Sequence, residues 1–197
     1  ALLDMEIEVL IDSLRNQYRK NPKLADPNIR ALELGYAYAR EHYPDTCQLT
    51  VRRSDRVGDA IIMDGNSAVA LGAIYAGATV VGWYPITPST SIIEAFGRYA
   101  EQFRIEEDSG RIKAAIVQAE DELAAIGIVI GASWNGARAF TATSGPGISL
   151  MAEFLGLAYF AEIPAVLINV QRVGPSTGMP TRTQQVRLLA CAYASHG

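Results

Sequence analysis

The chain has 197 residues, of which 49% are hydrophobic and 19% are charged, so it can bury a core the size of one domain with an extension. Its formal net charge is −4, from 17 basic and 21 acidic residues that intermingle along the chain, which excludes the basic surface of a protein that binds nucleic acid or an anionic membrane. Apolar runs are interrupted well before the roughly 18 residues that a membrane-spanning helix needs, so we expect no transmembrane helix.

Two amphipathic helices are predicted at the N-terminus. The first ends before Pro22, and its apolar residues recur at helical spacing: Leu3, Ile7, Leu10, Leu14 and Tyr18. The second is expected to begin with Asp26 as N-cap and Pro27 at its first position. Its inner face continues through Ile29, Leu32, Tyr36 and Arg40. The acidic start of the chain lacks the basic region of a signal peptide, which favours a cytoplasmic location.

A connector is predicted between residues 41 and 59, where Pro44, Gly58 and a cluster of charges interrupt any regular pattern. We therefore place a domain boundary there. Residues 1–58 are interpreted as a helical extension with a linker, and residues 59–197 as the main domain.

Short β-rich runs alternate with helical segments from residue 59 onward. Strands are predicted at 60–63, 79–84, 114–118, 139–143 and 165–169. Helices are predicted at 67–76, 89–103, 121–134 and 148–160, the second with Ile92, Ile93, Phe96, Tyr99 and Phe103 facing inward. This alternation predicts an α/β fold with a doubly wound parallel sheet, covered by helices on both faces.

Four loops that follow strands are candidates for chemistry, because ligands of an open parallel sheet bind at the carboxyl ends of its strands. They are residues 84–89, 118–122, 143–147 and 169–175. In the first, prolines stiffen the backbone, Thr87 offers a hydroxyl and Ser89 can cap the next helix. With free amide groups this would form a seat for an anion, although an ordinary proline-framed turn explains the pattern equally well.

The other three loops each have an ordinary and a functional interpretation. The three acids at 120–122 suit the first turn of any helix, but such a carboxylate can also hydrogen-bond a ring nitrogen of a ligand. The glycines at 145 and 147 permit close approach of a ligand, as they permit any tight turn. Arg172 and Arg182 can each clamp a carboxylate, or lie in solvent.

Together and in this order, the loops resemble the alpha subunit of 2-oxoacid:ferredoxin oxidoreductases, most closely the 2-oxoglutarate or general 2-ketoacid branch. The resemblance begins near Gly65-Asn66-Ser67-Ala68-Val69-Ala70-Leu71-Gly72-Ala73 and runs to Gly178-Met179-Pro180-Thr181-Arg182-Thr183. Its distinctive strings are Tyr84-Pro85-Ile86-Thr87-Pro88-Ser89, Glu120-Asp121-Glu122-Leu123-Ala124-Ala125 and Thr143-Ser144-Gly145-Pro146-Gly147. Their combination is far more specific than any single motif.

The resemblance implies a thiamine diphosphate enzyme that converts a 2-oxoacid, with 2-oxoglutarate expected, and CoA into acyl-CoA, carbon dioxide and reduced ferredoxin. This domain would bind the aminopyrimidine of the cofactor. Glu122 matches the catalytic glutamate that hydrogen-bonds the pyrimidine ring. Further cofactor contacts are expected from Pro85, Thr143, Ser144 and Gly145. Thr87 matches the threonine that holds the substrate carboxylate, and either Arg172 or Arg182 the arginine that pairs with it.

The sequence also indicates what this chain lacks. It contains no Gly-Asp-Gly followed by Asn to hold magnesium, and Cys47 and Cys191 form no Cys-x-x-Cys pair. We expect no metal site here, and the resemblance implies Mg²⁺ and an iron–sulfur cluster on a beta subunit, within a heteromer or a dimer of heteromers. Residues 1–58 resemble the end of a gamma portion fused ahead of the alpha portion.

Two alternatives stay open at this point. One is another thiamine diphosphate enzyme, of the decarboxylase or acetolactate synthase type, although the proline-rich string at 84–89 argues against it. The other is a non-catalytic interaction domain with the same doubly wound sheet.

Overall fold

A computed structural model describes residues 1–44, 47–172 and 188–195 of the chain. The chain divides into two compact units, residues 1–61 and 62–197. None of the described helices is both long enough and apolar enough to cross a membrane.

The first unit contains two helices that pack against each other, α1 at Ile7–Gln17 and α2 at Ala25–His42. The apolar stripe predicted for α1 is half-buried from Ile7 to Tyr18. A 3-10 turn at Pro22–Leu24 runs directly into α2. Leu24 therefore occupies the N-cap position, and the prediction that Asp26 caps this helix is wrong.

In the second unit, strands alternate with helices as predicted. The elements are α3 (Gly65–Tyr75), β1 (Val80–Trp83), α4 (Thr90–Phe103), β2 (Ala115–Gln118), α5 (Glu122–Trp134), β3 (Ala139–Thr143), α6 (Gly145–Phe160), β4 (Val166–Asn169) and α7 (Leu188–Ala192). Helix α6 begins three residues earlier than predicted, because Pro146 lies in its first turn, where proline's fixed φ suits a helix.

The four strands among the described residues form one sheet in the order β2-β1-β3-β4, and every neighbouring pair is parallel. Val81 in the centre of the sheet is in register with Ile116 on one side and Phe140 on the other. At the far edge, Thr143 of β3 is in register with Asn169 of β4. This confirms the predicted α/β fold with a doubly wound parallel sheet.

Two apolar clusters cover the two faces of the sheet. Helices α3 and α4 supply one cluster, which includes Phe96 and Phe140, and helices α5 and α6 supply the other, which includes Ile126 and Met151. Neighbouring residues of β3 belong to opposite clusters, as side chains that alternate along a strand must. The sheet is thus fixed from both faces, which gives its carboxyl edge a rigid base.

Two local predictions are wrong. Residues 60–63, which are described, form no strand, and Ile62 is 94% exposed, since a β-prone run without a strand beside it has nothing to pair with. Phe103, expected to face inward, is 51% exposed. It is the last residue of α4 and stacks on Tyr99 instead of reaching the core.

Candidate cofactor and substrate site

The carboxyl ends of all four strands lie at one edge of the sheet. From β1 the chain crosses to β2 on one side, and it then returns past β1 to β3 on the other. In doubly wound sheets, ligands bind at such a switch point. The loop after β1 and the start of α6 after β3 flank this crevice.

The three acids at residues 120–122 occupy three different environments. Glu120 is exposed. Asp121 is the N-cap of α5, and its carboxylate accepts a hydrogen bond from the Ala124 amide at 2.7 Å. Glu122 is only 6% exposed, and no described residue donates a hydrogen bond or ion pair to its carboxylate. No described residue competes for this carboxylate, so it can accept a hydrogen bond from a ligand.

Gly147 brings the start of α6 against Thr143 and Glu122. A Cβ atom at Gly147 would lie 2.0 Å from Thr143 Oγ1 and 3.0 Å from Glu122 Cγ. These separations leave no room for any side chain. Strand β3 and helices α5 and α6 therefore converge on one point, where the Glu122 side chain and the Thr143 hydroxyl both lie against Gly147.

Several buried polar atoms near this point have no hydrogen-bond partner in the described part of the chain. They are Thr141 Oγ1, Thr143 Oγ1, Ser144 Oγ, Asn169 Oδ1, Gln171 Oε1 and Arg172 Nε. All except Thr141 lie at or just beyond the carboxyl ends of β3 and β4, whereas buried polar atoms are normally bonded. Hydroxyl groups can donate and accept, amide oxygens accept and the guanidinium donates. The set fits a polar ligand with both donors and acceptors, as an aminopyrimidine ring is.

Arg172 and Thr87 are brought together across 85 residues of sequence. Arg172 is 5% exposed, and its Nη1 donates a hydrogen bond to the Thr87 carbonyl at 2.8 Å. The Thr87 side chain is exposed. A guanidinium with a free donor and a threonine hydroxyl thus share one end of the crevice.

The loop that precedes α4 is held by hydrogen bonds within itself. Ser89 makes no capping bond and instead donates its hydroxyl to the Ile86 carbonyl at 2.9 Å. The amides of Ser89 and Thr90 also donate to Ile86, and the Ile86 amide donates to the Thr90 hydroxyl. Ser89 is the N-cap residue of α4, as predicted, but its side chain makes no capping bond, and three of the amides expected to be free bond within the loop.

Asn66 is a residue of this site that sequence reasoning did not single out. It lies in the first turn of α3, and its Nδ2 donates to the Pro88 carbonyl at 3.0 Å and to the Ser91 hydroxyl at 2.8 Å. Asp64 caps the same helix by accepting bonds from the Ser67 amide and hydroxyl. Only the position of Asn66 beside a capping aspartate could have drawn attention to it.

The remaining predicted residues are placed as follows. Ser144 and Gly145 are buried at the start of α6, and Pro85 is exposed in the loop after β1. Arg182 lies outside the described residues. The choice between Arg172 and Arg182 as carboxylate ligand therefore stays a prediction.

A separate apolar cavity of about 430 Å³ lies at the opposite, amino edge of the sheet. Its walls include Ala78, Ala139 and Pro164, which precede or begin strands. It is therefore far from the crevice. Within the described ranges 1–44, 47–172 and 188–195, no group of three or more His, Cys, Asp or Glu side chains could hold a metal ion.

Residues 71–196 match the family model described as pyruvate flavodoxin/ferredoxin oxidoreductase, thiamine diphosphate-binding. The chain belongs to this family. Its membership confirms the resemblance that the four loops carry, and it favours a thiamine diphosphate site over a non-catalytic interaction domain.

Relatives of this thiamine diphosphate-binding family member are oxidoreductase subunits. The 2-oxoglutarate synthase subunit KorA of Methanocaldococcus jannaschii is 48% identical over 135 residues, 68% of this chain and 34% of that protein. The alpha subunit of 2-oxoacid:ferredoxin oxidoreductase 2 of Aeropyrum pernix is 39% identical over 205 residues, 100% of this chain and 31% of that protein. The chain thus spans about a third of the length of these curated relatives.

A solved structure supports the same assignment. It is a 2-oxoglutarate:ferredoxin oxidoreductase from Magnetococcus marinus with 2-oxoglutarate, coenzyme A and succinyl-CoA bound. The match has a TM-score of 0.72 and 36% sequence identity, and it covers 100% of this chain and 33% of that one.

Proposed function

We propose that this chain binds and activates the aminopyrimidine of thiamine diphosphate within a 2-oxoacid:ferredoxin oxidoreductase. The observation that carries the proposal is the position of Glu122, a side chain only 6% exposed that lies with Thr143 against Gly147 at the switch point of the sheet. It occurs in a chain whose residues 71–196 match a thiamine diphosphate-binding family.

Glu122 would accept a hydrogen bond from a pyrimidine ring nitrogen and so control where the ring holds its protons. The unpartnered hydroxyls of Thr143 and Ser144 would hydrogen-bond the cofactor. Gly145 and Pro85 would line the crevice that holds it. When bound, thiamine diphosphate supplies a nucleophilic carbon for attack on the 2-oxo carbon of the substrate.

Thr87 and Arg172 would hold the substrate carboxylate. The bond from Arg172 Nη1 to the Thr87 carbonyl fixes the two residues relative to each other, and Arg172 Nε is left with no described partner. A guanidinium suits a carboxylate because it offers parallel donors. Arg182 is the second candidate for this contact.

The full reaction would cleave the bond between the carboxylate and the 2-oxo carbon of 2-oxoglutarate. Carbon dioxide would leave, the acyl group would pass to CoA, and two electrons would pass singly to ferredoxin. A beta subunit would supply Mg²⁺ and an iron–sulfur cluster, in a cytoplasmic heteromer or dimer of heteromers. Residues 1–58 would be the helical extension and residues 59–197 the pyrimidine-binding domain. The two compact units, 1–61 and 62–197, support this division.

Glu122→Gln in the full-length subunit, reconstituted with its partner, tests the proposal. Turnover of 2-oxoglutarate should fall by about two to four orders of magnitude, since the amide cannot take the role of the carboxylate. Glu120→Gln is the matched control, because it makes the same change two residues away on an exposed side chain. It should retain the turnover of the wild type.

Near wild-type turnover of Glu122→Gln would contradict the pyrimidine assignment. Thr87→Ala and Arg172→Ala test the substrate contacts, and each should raise KM for the 2-oxoacid more than it lowers kcat. An unchanged KM in both would place the carboxylate elsewhere. Comparison of 2-oxoglutarate with pyruvate as substrate would decide the preferred 2-oxoacid.

A further inference from the structure

The loop that carries Thr87 is held by two side chains from distant parts of the sequence. Arg172, just after β4, donates to the Thr87 carbonyl at 2.8 Å. Asn66, at the start of α3, donates to the next carbonyl, that of Pro88, at 3.0 Å. Two successive carbonyl groups of the loop are therefore fixed by donors from different elements.

The chemistry of the partners determines the orientation of the Asn66 amide. The Pro88 carbonyl can only accept a hydrogen bond, so the atom that faces it must be the Asn66 nitrogen. The second hydrogen on that nitrogen points to the Ser91 hydroxyl at 2.8 Å. One NH₂ group thus joins the loop to the first turn of α4.

Helix α3 gives Asn66 a rigid base. Asp64 caps the helix through the Ser67 amide at 2.9 Å. Ala70 and Ile74, further along the same helix, are buried in the apolar cluster that α3 shares with α4. Because α3 is fixed in this way, the Asn66 side-chain amide can restrict the motion of the loop.

We propose that Asn66 is a positioning residue for the substrate-binding loop, which fixes the Pro88 carbonyl so that the neighbouring Thr87 faces the substrate carboxylate. The inference rests on the proposed function, in which Thr87 binds that carboxylate. Asn66 itself does not touch the substrate. Without its donor, the loop keeps the Arg172 bond, the bond from the Ser89 hydroxyl to the Ala142 carbonyl and its internal bonds. Thr87 is then less well preorganised.

Asn66→Leu in the full-length holoenzyme tests this role, because it keeps the approximate shape of the side chain and removes both N–H donors without adding a charge. We expect KM for 2-oxoglutarate to rise about threefold to tenfold, the worth of one hydrogen bond, with kcat nearly unchanged. Hydrogen–deuterium exchange should become faster at the Ser89 and Thr90 amides, which bond within the loop. Ser91→Ala is the matched control, since it removes the other partner of Asn66 and leaves the Pro88 bond.

Three results would overturn the inference. The first is an unchanged KM and unchanged loop exchange in Asn66→Leu while the wild type turns over 2-oxoglutarate. The second is faster exchange throughout α3 and α4, which would indicate a general loss of stability. The third is an equal effect of Ser91→Ala, which would assign the role to the hydroxyl contact. A wild-type holoenzyme without 2-oxoacid turnover would overturn the proposed function, whereas the exchange measurement would still decide the loop contact.

Discussion

Replacing Gly147 by alanine places a methyl group in space that Thr143 and Glu122 already fill. The new Cβ would lie 2.0 Å from Thr143 Oγ1, 3.1 Å from Thr143 Cβ and 3.0 Å from Glu122 Cγ. Rotation of the Thr143 hydroxyl would relieve only the first of these contacts. Because Thr143 is almost completely buried, the other two must be relieved by a shift of α6 or of Glu122.

The size of the effect follows from a comparison with a second glycine. Overpacking of this kind costs about 1–3 kcal/mol, whereas alanine gains up to about 1 kcal/mol over glycine in a helix. Gly131→Ala in α5 is the matched control, because nothing lies within 4 Å of its new methyl group. The control receives the propensity gain alone, so the two variants should differ by about 1–3 kcal/mol, or about 2–12 °C in the unfolding midpoint.

Thermal unfolding of the full-length subunit measures this difference. Titration calorimetry with thiamine diphosphate and Mg²⁺, on the subunit reconstituted with its partner, measures its consequence at the site. Gly147→Ala should bind the cofactor more weakly than Gly131→Ala, since Glu122 and Thr143 both move. Equal midpoints and equal affinities in the two variants would refute the packing argument.

Three further results are expected. Thr143→Val should leave the unfolding midpoint of the cofactor-free subunit unchanged or higher, because the hydroxyl has no described partner. The same change should weaken thiamine diphosphate binding. A lower midpoint would show that the hydroxyl is already paired. Gly82→Ala should destabilise the subunit by about 1–3 kcal/mol, since its Cβ would lie 2.5 Å from the Ala125 carbonyl, and an unchanged midpoint would contradict this. The hydrogen bond from the Ser67 hydroxyl lowers the pKa of Asp64 below 3.8. The stabilisation that the ionised Asp64 contributes is therefore present above that pH and is lost as the pH falls through the folded-state pKa. Ser67→Ala should raise the pKa of Asp64 toward 3.8, as measured by NMR titration.

The alternation of strands and helices was predictable because each strand is a short β-rich run ended by a turn. The bounds of β3 were predicted to the residue. The run at 60–63 is also short and apolar but is nevertheless irregular, because strand formation depends on a neighbour that local sequence does not reveal. The exposure of Phe103 has a similar origin, since helical periodicity cannot tell where the core stops covering a helix.

The site was predictable in its residues but not in its contacts. Three adjacent acids all suit a helix start, and only the geometry of the first turn separates the capping Asp121 from the buried Glu122. The bond between Arg172 and Thr87 spans 85 residues, and no local pattern encodes it. The Asn66 contact with the Pro88 carbonyl is likewise long-range. These contacts arise from the strand order, which is a property of the whole sheet.

The 85-residue separation of Thr87 and Arg172 also has a consequence for the order in which the protein is made. A ribosome adds about 5–20 residues per second, so Arg172 is synthesised about 4–17 s after Thr87. Strand β1 likewise lacks its neighbours until β2 and then β3 have been synthesised. The nascent chain therefore exposes the loop and the central strand before their partners exist, and this interval is when a chaperone would have most to protect.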